Sequence, residues 1–341
     1  MTYVDSVEEH KRSATDFLWP ANVRKHNPWP IFVRRNVPLR IVRYCFADAR
    51  AKQMLCKTVQ DALQIWADKI GYPHGAANGH NMAWEEARTN DPPGQRQNLF
   101  CYLDNANEDP ENREWNPEVL DDTLKIDFDP DLDGASSTIG WRAKKGYSDD
   151  FGRHDITIGP GTFAFTVAHE VSRPFVPKQT WTNTGSSDME GDKHVLYQCK
   201  NVKGYQEAME RVRVTNPTAQ DDEIHRHLCE DSEFAHESGF DGAEFAKSKY
   251  PVDDSSAFDL DSIMLYGSTV FANKDQCPQD PKACPLLKYD PPGQLVITSF
   301  CQHNQIPSDG DAAWIKKWYP HIGILPMVPP DGSPEGSPEE W

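Results

Sequence analysis

The sequence predicts an α+β fold, on three observations. A β-rich run at residues 38–46 is followed by a helical apolar period over 55–70, short β-type runs recur up to residue 159, and three further helical periods occupy the second half. The chain of 341 residues is long enough to bury a sizeable core, and 38% apolar residues with 10 Trp, 11 Tyr and 15 Phe is a folding composition. With 53 acidic against 35 basic side chains the formal charge is −18, a balance that repels phosphate backbones and anionic lipid. Nucleic acid is therefore not expected as a partner, and no apolar run is long enough to span a bilayer.

Residues 1–30 are polar and broken by Pro20, Pro28 and Pro30, and read as an arm ahead of a domain over 31–322. Pro38–Phe46 is rich in β-formers and reads as the first core strand. Leu55, Val59, Ala62, Leu63, Trp66 and Ile70 then recur at helical spacing, and Gly71 closes that helix. Residues 72–96, rich in Gly, Asn and Pro, read as loop. Asn98–Leu103 and Leu124–Phe128 read as strands across an acidic loop, and Thr138–Trp141 and Asp155–Gly159 as short strands. Pro160–Glu170 turns helical, and Pro174, Pro177 and a Gly-Ser-Ser turn break the pattern over 174–192. Helices resume over 202–214 and 220–230; 248–261 reads as loop and Phe271 onward as irregular. Ser308, with Asp311 three residues on, has the form of a capping box and opens a last helix reaching Trp318. Residues 323–341 are mostly Pro, Gly, Ser and Glu, cannot bury a core, and are expected to be disordered.

Eight cysteines (Cys45, Cys56, Cys101, Cys199, Cys229, Cys277, Cys284, Cys301) are dispersed with no CxxC pair, a pattern that favours disulfides in an oxidising compartment. The N-terminal residues lack the apolar core of a signal peptide, which leaves the compartment open.

Two local signals carry chemistry. His169-Glu170 ends an apolar helix. Alone, that dipeptide is weak, and it recurs at His236-Glu237 without support. A second His four residues on would put two imidazoles on one helical face to grip Zn²⁺, with the Glu facing the metal-bound water. The plainer alternative is a partly buried His–Glu pair whose acid is capped by Arg173. The second signal is the run Phe258–Gly267, containing Ser262-Ile263-Met264-Leu265-Tyr266.

That run resembles the Met-turn of the metzincins, and its Ser-x-Met-x-Tyr form resembles the astacin branch. Asp259, Asp261 and Phe271 around it are similar to that family too. So are the strand and helix at 38–70, Gly152–Gly159, Tyr197–Tyr205, and Ser308 with Asp311 and Trp318–Pro320, in the expected order across residues 30–320. The resemblance implies a zincin/metzincin-like fold: a twisted, mostly parallel sheet with long helices in an upper lobe, an irregular lower lobe, and a cleft between. It implies a secreted zinc endopeptidase acting on peptide or protein. His169 would be the first zinc ligand, Glu170 the general base, and Tyr266 a zinc ligand that also stabilises the oxyanion. Met264, held in the turn that Ser262 opens, would floor the site.

The family pattern is H-E-x-x-H-x-x-G-x-x-H. Counted from His169, its second ligand position is Arg173, its glycine Val176 and its third ligand Gln179. Arginine stays protonated and has no acceptor, so it cannot ligate zinc. Leu265 also stands where many astacins have His. His225, His227, Cys229 and Asp231 are candidate substitutes, but their i,i+4 pairs fall on different helical faces, and the plainer reading is a solvated helix carrying a disulfide cysteine. His194 is weaker still. Residues 171–187 replace the most constrained part of the pattern while both flanks keep it, as translated intron joined past a lost exon piece would. Two functional readings follow: a zinc endopeptidase, or a catalytically inactive relative that binds peptide or protein. A disulfide-stabilised structural protein is the least specific third.

Overall fold

The computed structural model describes residues 29, 31–34, 37–72, 75–92, 94–103, 113–138, 151–173, 194–245, 258–273, 275–290 and 297–323. The expected arm, apart from Trp29, the proline-broken stretch from 174 and the tail beyond 323 lie outside them.

The principal sheet has six strands: β1 (Ile31–Arg34), β2 (Val37–Phe46), β3 (Met82–Glu86), β4 (Leu124–Phe128), β5 (Ala135–Ser137) and β6 (Asp155–Ile158). The path runs β1-β2-β4-β6-β5, with β3 also on β2. The β2/β3, β2/β4 and β4/β6 pairs are parallel, and β1 and β5 join antiparallel. This is the mostly parallel sheet that the resemblance implies. Helix α1 (Ala49–Ile70) packs on it through the expected Leu55, Val59, Ala62, Trp66 and Ile70, joined by Ala51, while Leu63 is only partly buried. Asp48 caps its start by accepting from Ala51 N–H at 2.8 Å. At its end Gly71 takes φ +88°, and a Cβ there would lie 2.3 Å from the Asn78 side-chain oxygen. The helix α2 (Ala164–Ser172) lies against α1, and Trp66 Nε1 donates to Ala168 O at 2.9 Å.

Three expectations need correction, and one is the stretch from Phe271: read as irregular, it holds paired strands at Leu286–Tyr289 and Ile297–Phe300. The presumed loop at 72–96 contains β3, whose Met82 and Ala83 are buried beside β2. Residues 98–103 make only single bridges, Asn98 to Arg88, Phe100 to Phe46 and Tyr102 to Trp115, with Cys101 tied to Cys45 by a disulfide.

A second core surrounds α3 (Tyr205–Thr215), α4 (Asp221–Glu230), α5 (Ser232–Glu237) and the antiparallel sheet of β7 (Val195–Tyr197), β8 (Leu286–Tyr289) and β9 (Ile297–Phe300). The turn at Ser262–Tyr266 joins the two cores. Ile263 and Met264 pack into the first, and Leu265 and Tyr266 into the second. Helix α6 (Asp309–Trp318) pins this turn. Its capping box forms in both halves, and the buried Asp311 carboxylate also accepts from Ser262 Oγ at 2.6 Å and Ile263 N–H at 2.9 Å. Disulfides join Cys45–Cys101, Cys199–Cys229 and Cys277–Cys284, while Cys56 and Cys301 are free. Among the described residues no helix is long and apolar enough to cross a membrane. The architecture is α+β, a mixed sheet with helices, and is compatible with the zincin-like arrangement.

Candidate active site

Helix α2 sets the site. Thr162 Oγ1 lies 2.8 Å from both Gly134 O and Gly159 O, fixing the turn from which the helix departs. Val167, Ala168 and Val171 anchor its buried face, and the last turn carries His169 and Glu170 inward, each 3% exposed.

His169 Nδ1 lies 2.9 Å from the Ile263 carbonyl oxygen. A carbonyl only accepts, so the proton is on Nδ1 and the Nε2 lone pair faces away from it. Nε2 is 3.9 Å from Glu170 Oε1. The ring stacks on Tyr266, with centroids 5.0 Å apart and planes at 22°. Ser172 Oγ lies 2.7 Å from His169 O and 2.8 Å from Met264 Sδ. The structure therefore brings His169, Glu170, Met264 and Tyr266 together, with Ser262 beneath them bonded to Asp311.

The centre of this group is Arg173, only 5% exposed. Its Nη1 donates to Glu170 Oε2 and to Tyr266 Oη, each at 3.3 Å, and its Nη2 to Glu244 Oε2 at 2.9 Å. Tyr266 Oη in turn donates to Glu244 Oε2 at 3.0 Å, and the Ser137 hydroxyl donates to Glu170 Oε2. Acid capping by Arg173 is thus present, and it extends to two residues the sequence does not flag. Glu244 closes a short 3₁₀ turn at Asp241–Glu244, and Ser137 lies on β5; neither sits in a motif.

Burial governs the charges here. It pushes the His169 pKa down, with Arg173 adding to that and Glu170 opposing it. Burial also opposes the Arg173 charge, but Tyr266, Glu170 and Glu244 together hold its pKa above the ordinary value. Tyr266 is raised well above the usual phenol range, first by burial. One fixed guanidinium thus faces two carboxyl groups. His303 is a further missed neighbour: its ring meets Phe165 edge-on at 4.8 Å, and burial, with His169 adding, depresses its pKa to about 4.

A catalytic zinc ion needs three protein ligands and a site open to water. The described residues around His169 do not fit one. Among them, the one group of three or more His, Cys, Asp or Glu donors within ligating reach of one another is Cys199, His225 and Cys229, on other elements. A guanidinium instead stands among the acids that would face the metal. The positions of Val176 and Gln179 lie outside the described residues. Cys229 is in a disulfide, as the plainer reading of α4 expects, and His194 stacks on Phe258 with centroids 5.1 Å apart.

No family model matches the sequence, and no curated protein matches it. Solved structures do show similarity. One is high choriolytic enzyme 1, a hatching-enzyme zinc protease from the medaka fish Oryzias latipes, with 13% identity, 89% of this chain and 96% of that chain covered, and a TM-score of 0.46. Another is myroilysin, with 14% identity, 87% and 97% covered, and a TM-score of 0.38.

Proposed function

We propose that this chain is a peptidase-like module that holds peptide or protein without hydrolysing it. The observation that carries this reading is the Arg173 guanidinium bonded to Glu170, Tyr266 and Glu244. A general base must be free to take a proton from water. Glu170 Oε2 already receives Arg173 and the Ser137 hydroxyl. Tyr266, the oxyanion partner the resemblance implies, donates to Glu244.

The sheet supplies a place for an extended chain. Strand β5 pairs only with β6 among the described residues. Gly134 O and Thr138 N–H bond to the β6 side, so the backbone groups of Ala135 and Ser137 point to the outer edge. A peptide adding there would lie beside Glu170 through Ser137, with backbone bonds providing affinity. Three disulfides support an oxidising, extracellular setting.

The zinc endopeptidase remains the second reading, favoured by one observation: the Ile263 carbonyl presets His169 with its Nε2 lone pair available. The oxidised chain, purified without chelator, distinguishes the two. The binding module predicts no stoichiometric zinc, no chelator-sensitive cleavage of denatured casein, and peptide binding in a library pull-down that Ala135→Pro abolishes. Near-stoichiometric zinc with cleavage lost in Glu170→Ala would instead establish the hydrolase.

A further inference from the structure

We infer that Cys199, His225 and Cys229 form a redox-gated metal site. They are a disulfide with an attendant imidazole in the oxidised chain, and a two-sulfur, one-nitrogen seat for a zinc-like ion in the reduced one. The inference does not depend on the state of the α2 site. Helix α4 places His225 and Cys229 one turn apart on the same face, and Cys199 enters from the 3₁₀ turn at Cys199–Asn201. The three ligand atoms all lie within 4.8 Å of one another. His225 Nδ1 is 3.3 Å and Nε2 4.0 Å from Cys229 Sγ, so Nδ1 is the ring nitrogen nearer the sulfur. Tetrahedral zinc, with bonds of about 2.3 Å to sulfur and about 2.0–2.1 Å to nitrogen, separates such ligands by about 3.6 Å. Nδ1 and Cys229 Sγ already stand near that span, and opening the disulfide lets the two sulfurs part toward a similar one.

The imidazole also has an outer partner. Tyr205 Oη lies 2.7 Å from His225 Nδ1. That phenol shares Nδ1 with the sulfur side, so it must swing away before an ion can take the nitrogen. Cys199 and Cys229 are 6% and 9% exposed, while His225 is half-buried, so the site has a mouth. Neither of the other two disulfides has a third donor within such reach among the described residues. The step balances. A dithiol reductant gives two electrons and two protons, cleaves the S–S bond to two thiols and leaves as its own disulfide. The ion then displaces one proton from each thiol and binds as the dithiolate.

Cobalt(II) is the probe. The full chain is loaded oxidised, and again after reduction with dithiothreitol and anaerobic desalting. The oxidised chain should take up none at this site. The reduced chain should take up one ion, with the charge-transfer band of two thiolates and tetrahedral d–d bands. Cys199→Ser should remove those bands, His225→Ala should weaken binding about 10–100-fold, and Tyr205→Phe, which frees Nδ1, should bind at least as tightly as the parent. A Cys277→Ser/Cys284→Ser variant should bind as the parent does. Oxidised His225→Ala keeps its disulfide, so its circular dichroism checks the fold independently. Failure of the reduced chain to bind while both thiols titrate, or binding indifferent to Cys199→Ser and His225→Ala, overturns the proposal.

Discussion

Two helices of this molecule carry a histidine with a chemically active residue four positions later, and the two pairs meet different fates. On α2 the pair is His169 and Arg173; on α4 it is His225 and Cys229. Helical geometry treats both alike, placing the two side chains on one face a turn apart. The residue at the later position decides the chemistry. Arginine is a permanent cation with no lone pair to give, so the α2 site is closed by charge. Cysteine offers sulfur whose availability is set by redox state, so the α4 site is closed by a bond that can be opened. Spacing alone therefore does not make a metal site; the donor capacity of each residue does.

The largest expected effect tests whether Arg173 really supplies the missing positive charge. Arg173→Met leaves Glu170 and Glu244 without their cation in a buried setting, and breaking a buried pair in this way costs about 3–5 kcal/mol. Denaturant unfolding should show that loss, and chelator should change neither parent nor variant. Adding Glu170→Gln and Glu244→Gln should recover most of the stability, because the uncompensated charges go with it. A loss below about 1 kcal/mol in Arg173→Met would place the guanidinium at the rim, where exposed pairs contribute that little, and would reopen the α2 site to metal.

How much of this was readable beforehand follows sequence distance. The α1 stripe, the Ser308–Asp311 capping box and the α3 and α4 periods are local patterns, and the structure reproduces them. Arg173 beside Glu170 is also local, three residues apart on one helix. Glu244 reaches the same guanidinium from 71 residues away, and no spacing rule announces that. Strand β3 was hidden for a related reason. Its run Met-Ala-Trp-Glu-Glu looks unlike a strand, and its conformation comes from pairing with β2 while Glu86 is held by Lys52 at 2.6 Å. Ser137 and His303 likewise join the site only through tertiary packing. The stretch suspected of intron origin is described only at Val171–Arg173, which continue α2 into its last turn.

A middle-sized effect sharpens the α4 side. The Cys199–Cys229 disulfide closes a loop of sequence separation 30, and constraining such a loop in the unfolded chain contributes about 2–4 kcal/mol. The double variant Cys199→Ser/Cys229→Ser should lose that amount in oxidising buffer, measured against the parent by denaturant titration. In dithiothreitol the difference should vanish, since the parent then lacks the bond too. If it persists under reduction, the sulfurs stabilise the second core by packing rather than by cross-linking.

The smallest effect is one of pH, and it belongs to the α2 side. Burial holds His303 neutral, with a folded pKa of about 4 against an ordinary 6.5. His169 is shifted in the same direction. Below 6.5 the unfolded chain takes up protons that the folded chain refuses, so the contribution is intact above 6.5 and is lost as pH falls toward 4. At pH 5.5 the loss from His303 alone is about 1 kcal/mol. Thermal unfolding from pH 7.5 to 5 should show it, and His303→Gln should flatten the slope. His225→Gln on α4 serves as the comparison, because the acid sensitivity assigned here comes from the buried imidazoles packed around Phe165 and Tyr266. A slope that follows His225→Gln rather than His303→Gln would move the acid-sensitive element to α4 and reverse the contrast between the two helices.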